Sequence, residues 1–424
     1  MGLAKKIAEN FLWRGIYLVS LFIINLLMAR VLGAGESGRF FLLMTNLALI
    51  ILVTGFCLES SIVFYGASGK IAFNKLATIG LLWSIPATII AGIFLWYGWP
   101  PEVTNREMLF MALYVFSFLL INNFTGLFHA HQNFTTCNQL LAVVNVFFIC
   151  YVIFFIGYSF FSKENQEINA GIIRDKIKWG YIITVFVQGI VLLVTSWNTL
   201  AIKKWILPSA SEMRLLLRYA GLSLCANIVF FLVSRAGYWF VEYYCNAGSL
   251  GNYIQVSRLG QIFILPSIIV AGSLFPQTAG GQLSFQSNSF SLLSRSLIVI
   301  YLSAIVLSVL IGKPVISFLW GNEYDEMYRA WLFYVPGVLF LAVSYLFSPI
   351  FAGKGKVKYN IIIGLFALVV VATCSYFLIP LWGIRGAAVA SSAGFMIMMI
   401  LYFIIAKIKF GFSFLAKNEF FIKP

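Results

Sequence analysis

Charged residues are scarce in this sequence. Only 10% of its 424 residues are Asp, Glu, Lys or Arg, whereas 61% are hydrophobic and 17% are aromatic. A soluble domain covers its surface with roughly a quarter charged residues, so this chain can be solvated only if most of its surface faces lipid. The apolar runs continue for about 17–25 residues, which excludes a barrel of alternating ten-residue strands. The composition therefore predicts an all-α polytopic membrane protein.

Paired cysteines and metal-binding patterns are missing. The six cysteines are scattered through the apolar segments without any CxxC pair (Cys57, Cys137, Cys150, Cys225, Cys245 and Cys374). Cysteines scattered in this way usually serve as small packing residues, so neither a disulfide nor a metal site is expected. His129 and His131 are two residues apart, and on a helix such residues point about 200° apart. We expect an interfacial role for this pair rather than a shared metal.

Motifs of catalysis are also missing. The sequence contains no GxxxxGK[ST] phosphate-binding loop, so a nucleotide motor in this chain is not expected. No predicted loop exceeds about 20 residues, which leaves no room for a soluble catalytic domain. We therefore expect a transporter without catalytic residues or a cofactor. Coupling to a proton or sodium gradient stays open.

The excess of basic residues has a topological explanation. The net charge is +15, but the basic residues form short clusters between apolar runs, such as Lys203 with Lys204. This is the pattern of loop charges that orient membrane helices, so nucleic acid is not an expected partner. Lys5 and Lys6 precede an apolar stretch as in a signal peptide, but no cleavage site follows and Arg14 interrupts the run. We expect a retained first helix.

Charges and turn residues divide the chain into about twelve predicted spans. They cover residues 11–32, 40–65, 76–99, 108–130, 140–161, 179–198, 215–240, 253–275, 292–311, 330–351, 359–380 and 386–406. With the N-terminus inside, cytoplasmic segments carry about 17 Lys and Arg, against about 10 outside. Both termini are therefore expected in the cytoplasm.

The two halves of the chain resemble each other. Gly38-Arg39-Phe40 and Gly251-Asn252-Tyr253 each place Gly, a polar residue and an aromatic residue at the entry to a span. Six spans in each half would give both halves the same orientation. The predicted division is an N-lobe (1–200), a cytoplasmic linker (201–214), a C-lobe (215–410) and a cytoplasmic tail (411–424).

Four motifs carry a resemblance to a known family. They are Ala29-Arg30-Val31-Leu32-Gly33 with Ser37-Gly38, then Leu250-Gly251-Asn252-Tyr253, then Trp320-Gly321-Asn322-Glu323-Tyr324, and the stretch from Ile379-Pro380 through Gly383 to Gly386-Ala387-Ala388-Val389-Ala390. In this order the chain resembles the polysaccharide-type (O-antigen-unit, Wzx-like) flippases of the multidrug/oligosaccharidyl-lipid/polysaccharide (MOP) exporter superfamily. Many relatives carry an acidic residue near the outer end of helix seven, where this chain has Arg235.

The resemblance implies a mechanism and partners. The expected architecture is two six-helix lobes around a central cavity that opens to one side at a time. The expected function is translocation of a polyprenyl-pyrophosphate-linked oligosaccharide across the bacterial cytoplasmic (inner) membrane, for surface polysaccharide biosynthesis. Undecaprenyl-pyrophosphate-linked oligosaccharide and membrane lipids are the expected partners, together with polysaccharide polymerase and chain-length machinery.

Arginines within the spans are the candidate substrate-binding residues. An anionic diphosphate needs a cationic cavity, and the planar guanidinium donates two hydrogen bonds while staying charged. The candidates are Arg14, Arg30, Arg218, Arg235 and Arg258. Arg30, Arg218 and Arg235 lie near predicted helix ends, where the side chain can instead reach the headgroups. Arg14 and Arg258 are favoured for the cavity.

Two acids are the candidate gate or ion-pair residues. Glu59 is expected to pair with Arg14, either closing a cytoplasmic gate or only neutralising two charges. Glu242 follows Arg235 by seven residues and is the candidate for the same gate or ion-pair role, with Arg235, at the outer side of the membrane.

Rival functions remain open. A cation-coupled drug exporter of the same superfamily would be expected to carry more buried acids than Glu59. A peptidoglycan-precursor flippase would be expected to have two further helices. A membrane-embedded glycan polymerase would need a large outside loop, whereas the longest here is 162–178, with no DxD.

Overall fold

The computed structural model describes residues 3–98, 104–161, 166–200, 204–279, 288–354 and 356–412. Linker residues 201–203 and tail residues 413–424 of the predicted division lie outside the described residues. The described ranges form α-helices and a 3-10 helix at Asn322–Tyr324, which confirms the all-α prediction. The α-helices are α1 (Leu3–Thr54), α2 (Leu58–Ala67), α3 (Phe73–Gly98), α4 (Asn105–Ala130), α5 (Phe134–Phe161), α6 (Gln166–Thr199), α7 (Ala210–Tyr244), α8 (Ala247–Ala279), α9 (Asn288–Trp320), α10 (Asp325–Gly353), α11 (Val357–Trp382) and α12 (Ile384–Phe410).

Ten of the described helices are long and apolar enough to cross a membrane. The expected multi-pass membrane architecture is thereby confirmed. In this count α1 spans 52 residues and is counted once although its helix is broken at Gly33, and α2 has only 10 residues. The predicted number of about twelve spans, and their arrangement around a cavity, stay predictions.

The end of the first predicted span coincides with a break in α1. Backbone at Gly33 is non-helical (φ 76°), so α1 consists of two helices that meet there. A second break, which the sequence did not predict, falls inside the second predicted span at Phe56 and Cys57, which are both left-handed with φ of 55° and 49°. Each left-handed non-glycine residue costs about 1–2 kcal/mol, so sequence preference does not predict it. Tertiary contact accompanies it, because the Asn227 amide lies 3.4 Å from the Cys57 sulfur.

The segment predicted as the longest outside loop is largely helical. Helix α6 begins at Gln166, whereas the apolar run predicted a start at residue 179. Residues 166–178 contain no proline, and most of them are compatible with a helix, so α6 starts before the apolar run begins. Residues 162–165 lie outside the described residues.

Contacts divide the chain into two compact units. The first unit contains Met1–Leu32 and Leu43–Ile228, and the second contains Gly33–Leu42 and Val229–Pro424. This division differs from the predicted lobe limits at two segments, Gly33–Leu42 and the first half of α7. Long-range packing decides both assignments, and sequence order does not reveal it.

Close backbone contact holds Gly33–Leu42 in the second unit. A Cβ atom on Gly251 would lie 2.0 Å from the Ala34 carbonyl oxygen, and one on Gly38 would lie 2.6 Å from the Ala247 carbonyl oxygen. The two glycines that the internal repeat aligns therefore meet at one helix crossing. Small residues allow such approach in membrane proteins.

Hydrogen bonds from the third motif add to this crossing. The Ala34 amide donates to the Glu323 carboxylate at 2.8 Å, at the point where helix resumes after Gly33. The hydroxyls of Ser37 and Tyr324 lie 2.7 Å apart and are buried. The carboxylate satisfies a helix-terminal amide that has no partner within the helix.

The first half of α7 is held in the first unit. Ser209 and Glu212 form reciprocal hydrogen bonds that begin the helix, and the Lys75 ammonium lies 2.9 Å from the Glu212 carboxylate. Further along, the Ser61 hydroxyl donates to the Leu216 carbonyl at 2.7 Å. These contacts join α7 to α2 and α3.

The fourth motif forms a tight hairpin between α11 and α12. Gly383 has φ of 57°, and a Cβ atom on Gly386 would lie 2.2 Å from the Leu378 carbonyl oxygen. Ala387 and Ala388 are fully buried directly after it. The motif therefore serves close packing within the second unit.

The Gly251 crossing yields a stability prediction. Gly251→Ala should lower the free energy of unfolding by about 1–3 kcal/mol, because the added methyl would overlap the Ala34 carbonyl. Gly35→Ala is the matched control, since nothing lies within 4 Å of its Cβ position. Thermal unfolding of both purified variants in detergent measures the difference, and equal melting temperatures would contradict the crossing.

Candidate functional site

A buried hydrogen-bond network lies inside the first unit. The Asn145 amide donates to the Ser20 hydroxyl at 2.8 Å, and the Gln188 amide donates to the Asn145 carbonyl oxygen at 2.7 Å. All three side chains are buried, on α1, α5 and α6. Each bond satisfies a group that the hydrocarbon could not, so the network is a stable polar core.

Arg14 lies nearer the start of α1, beside the same helices. It is half-buried, and its charge is close enough to act on Tyr17, His129 and Cys137. Since Arg14 is near Cys137 and Ser20 contacts Asn145, residue numbers rise together and α1 and α5 run parallel. No described residue pairs with Arg14 as an ion pair.

Two buried nitrogen atoms on α4 and α5 of the first unit have no hydrogen-bond partner in the described part of the chain. They are Nε2 of His129 and Nδ2 of Asn138. Asn138 is only 3% exposed, and it precedes Asn145 by seven residues, which places both on one face of α5. Buried polar groups are normally satisfied, so these atoms indicate a place for water or a ligand. We call Arg14, His129 and Asn138 the Arg14 site.

Glu59 lies against the same helix as His129. A Cβ atom on Gly126 would come within 3.4 Å of the Glu59 Cβ atom, and Gly126 precedes His129 by less than one turn of α4. Glu59 is half-buried. Among the described residues no ion pair joins it to Arg14, so the expected pair is not formed in this structure.

Arg235 lies in a cluster of tyrosines in the second unit. It donates a hydrogen bond to the Tyr238 hydroxyl, and its guanidinium carbon lies 5.1 Å from the centroid of that ring. Tyr238 packs edge-on against Tyr253, whose hydroxyl lies 2.8 Å from that of Ser391. Tyr238 and Tyr253 are buried and Arg235 is half-buried. Arg235 is thus an interior residue of this unit rather than an end-of-helix anchor.

Arg258 has a local partner in the second unit. Its guanidinium carbon lies 3.7 Å from the centroid of the Phe41 ring, in the segment Gly33–Leu42. A cation over an aromatic face is stabilised by the ring quadrupole. The contact adds to the helix crossing at Gly38. The expected cavity role of Arg258 stays a prediction.

The remaining predicted site residues are exposed side chains. Arg30 on α1, Arg218 on α7 and Glu242 near the end of α7 all lie at the surface of their unit. Among the described residues Glu242 forms no ion pair with Arg235, because Arg235 turns to Tyr238 instead. Their assignment to a substrate cavity or a gate stays a prediction.

Sequence reasoning missed three polar residues of the first unit. Asn138, Asn145 and Gln188 lie in apolar helices, whereas His129 was named and its interfacial role stays a prediction. The seven-residue spacing of the two asparagines on an otherwise apolar helix is a signal that could have found them. Within the described residues no group of three or more His, Cys, Asp or Glu is arranged to hold a metal.

Comparison with known proteins relates the chain to transporters through structure alone. No protein-family model matches the sequence, and no curated protein matches it either. Solved structures do match over nearly the whole length. A Vibrio cholerae MATE transporter superposes with a TM-score of 0.67 at 13% identity, covering 95% of this chain and 98% of that one.

Two further solved structures extend this likeness. The lipid II flippase MurJ, in an inward closed conformation, gives a TM-score of 0.69 at 13% identity and covers 95% of this chain and 87% of that one. A MOP superfamily transporter from Pyrococcus furiosus, described as having a binding pocket of reverse polarity, gives a TM-score of 0.63 at 15% identity. The match covers 96% of this chain and 95% of that one. The chain therefore has the fold of MOP superfamily transporters.

The two asparagines of α5 provide a matched test of the Arg14 site. Asn145→Leu should lower stability by about 0.5–2 kcal/mol, because it breaks bonds to Ser20 and Gln188. Asn138→Leu removes an amide nitrogen without a partner, so stability should be unchanged or higher. Thermal unfolding in detergent compares them, and an equal loss in both would contradict the assignment of Asn138 as unsatisfied.

Proposed function

We propose that this protein is a flippase that moves polyprenyl-pyrophosphate-linked oligosaccharide repeat units across the bacterial cytoplasmic membrane by alternating access. One observation carries the proposal. A fixed positive charge, Arg14, acts on His129, whose buried Nε2 atom is unsatisfied, inside a unit that also holds the unsatisfied amide nitrogen of Asn138. Surface polysaccharide biosynthesis is the process that uses such oligosaccharide repeat units.

The chemistry of the Arg14 site favours an anionic ligand. Arg14 and the Asn138 amide present hydrogen-bond donors, and His129 presents a ring nitrogen that can also donate. A charged side chain within a span costs about 2.5–3.5 kcal/mol or more, and an unsatisfied buried donor about 1–3 kcal/mol. A diphosphate that enters the site would offset both costs. A cationic drug would instead increase the cost of the arginine charge within the span.

A lipid-linked ligand is supported by the fold and by the second arginine. The MurJ structure of the same fold is that of a lipid II flippase. Arg235 gives the second unit a half-buried charge of the same sign, surrounded by aromatic rings and hydroxyls. We assign Arg235 a contact with the substrate within the second unit. Guanidinium and tyrosine together suit phosphate and sugar hydroxyls.

The rival function is a cation-coupled drug exporter, which Glu59 favours. MATE transporters share the fold, and Glu59 is a half-buried acid without an ion pair to Arg14 in the described structure. Within the flippase proposal we assign Glu59 the coupling step, in which it takes up and releases a proton or sodium ion.

The proposal also includes orientation and a partner. We propose that both termini lie in the cytoplasm and that a polysaccharide polymerase consumes the product.

The central prediction concerns Arg14. Arg14→Gln should reduce flipping roughly 10- to 100-fold, because one charge-assisted contact with the diphosphate is worth about 1.5–3 kcal/mol. Arg14→Lys should lose less, since it keeps the charge but not the planar fork. The measurement is the leaflet distribution of the lipid-linked oligosaccharide in cells lacking the gene and complemented with each variant.

Arg106→Gln is the control for this experiment. Arg106 is exposed at the start of α4, and its guanidinium carbon lies 5.2 Å from the centroid of the Trp179 ring. This variant should flip normally. If completed units reach the outer face in the deletion strain, with other flippases absent, the proposal is wrong. If Arg14→Gln flips normally at wild-type protein levels, the Arg14 site is not the diphosphate site.

Variants of Glu59 distinguish a role in ion coupling from a structural role of this residue. Glu59→Gln should make transport insensitive to collapse of the proton or sodium gradient, because the variant cannot exchange the charge. Glu59→Asp should restore part of that sensitivity. Transport rates with and without an uncoupler or a sodium ionophore measure it, and wild-type sensitivity in Glu59→Gln would exclude this residue. Loss of drug resistance with intact flipping would favour the exporter.

A further inference from the structure

Five lysines gather at one end of the second unit. They come from the end of α10, the start of α11 and the end of α12 (Lys354, Lys356, Lys358, Lys407 and Lys409). Lys354 is half-buried, with its ammonium 4.8 Å from the centroid of the Phe410 ring, and the other four are exposed. The contact between Lys354 and Phe410 joins the lysines of α10 and α12 into one surface, which we call the lysine end.

Carboxylates are missing from this part of the chain. No Asp or Glu occurs in the sequence between Glu326 and Glu419. The other acids of the second unit in the described ranges are Glu36, Glu242, Glu323 and Asp325, which belong with Glu326 to the opposite end of α10. That helix has 29 residues, so about 40 Å separates the acids from the lysine end. The lysine end therefore has a local excess of positive charge.

An apolar groove lies on the same unit between α9, α10 and α12. Its volume is about 410 Å³, and its lining presents no polar surface. The residues that line it are Ile298, Leu339, Phe340, Val343, Met399 and Phe403. A purely apolar groove on a membrane-embedded unit suits a hydrocarbon chain.

The groove leads towards the lysine end. Lys407 follows Met399 and Phe403 at successive four-residue steps, so all three lie along one face of α12. On α10, Phe347 and Phe351 contact Phe403 and Phe410, with ring centroids 4.9 and 5.3 Å apart. These contacts show that α10 and α12 run parallel and reach the lysines at the same level.

We propose that the groove and the lysine end together bind an anionic phospholipid. One acyl chain occupies the groove, and the phosphate lies between Lys354 and Lys407. Apolar lining followed along the helix by cationic side chains is complementary to an amphiphile with a negative head. This site is separate from the Arg14 site, which belongs to the other unit, and it does not depend on the proposed function.

The lysine side chains favour a phospholipid over the lipid-linked sugar. Lysine acts as a compact point charge, whereas diphosphate and sugar recognition uses the planar fork of arginine and hydroxyl donors. On α10 and α12, the helices that supply Lys354 and Lys407, no arginine lies between Arg329 and Lys354 or between Arg385 and the end of α12, whereas α9 has Arg295 one turn before Ile298. A single phosphodiester at the membrane surface needs no more than the charges that the lysines provide.

The experiment measures lipid binding to the full chain. Purified protein in neutral detergent is titrated with phosphatidylglycerol, and bound lipid is counted by native mass spectrometry. Phosphatidylcholine with the same acyl chains and polyprenyl phosphate are the comparison probes. Phosphatidylglycerol should bind at least tenfold more tightly than phosphatidylcholine. The double variant Lys354→Gln with Lys407→Gln should lose roughly 25-fold in affinity, at about fivefold for each lysine.

Further variants separate head and chain contacts. Met399→Trp should weaken binding by filling the groove while leaving every lysine in place. Lys313→Gln is the control, because this exposed lysine of α9 is not part of the lysine end. Equal binding of the two phospholipids, or unchanged binding in the double variant, would overturn the proposal. Displacement of phosphatidylglycerol by equimolar polyprenyl phosphate would assign the groove to the substrate instead. Melting temperatures establish that each variant is folded.

Discussion

The absence of water in the hydrocarbon core is the constraint on which this structure depends. Every buried polar group must find a partner within the protein, and most do. Ser20, Asn145 and Gln188 satisfy one another in the first unit, and Ser37 with Tyr324 do so in the second. Against this background, an unsatisfied nitrogen is informative. In the described chain the Asn138 and His129 side chains of the first unit each have a buried nitrogen without a partner, as does Gln255 in the second unit. In the first unit these atoms accompany Arg14, a charge that also has no counter-ion among the described residues.

Packing explains what the four sequence motifs do. Gly38 and Gly251, which the internal repeat aligns, meet at a crossing in the second unit, and Glu323 caps the helix that resumes after Gly33. The alanine-rich motif that follows Gly383 closes a hairpin. None of these motif contacts involves Arg14, Asn138 or Asn145. The motifs that resemble a transporter family therefore serve packing in this chain, although Tyr253 of the second motif also packs against Tyr238 beside Arg235.

Charge is distributed unevenly within each unit. Arg14 and Arg235 are half-buried arginines of the first and second unit, and in the second unit the length of α10 separates the acids from the lysine end. A half-buried arginine suits a ligand that enters and leaves, whereas exposed lysines at the end of a helix suit lipid headgroups that stay. Two kinds of anion, a transported one and a resident one, would then be recognised by different side chains.

The sequence by itself determined the all-helical membrane architecture, because long apolar runs with few charges have no other stable arrangement in a bilayer. It also identified Arg14 as a charge within a span. Tertiary structure alone decided the rest. Whether Asn138 or Asn145 finds a partner depends on which helices face α5, and the left-handed break at Phe56 and Cys57 opposes local preference. Assignment of Gly33–Leu42 to the second unit arises from contacts with residues more than 200 positions away. Composition and spacing carry no record of such contacts, since they concern neighbours along the chain rather than neighbours in space.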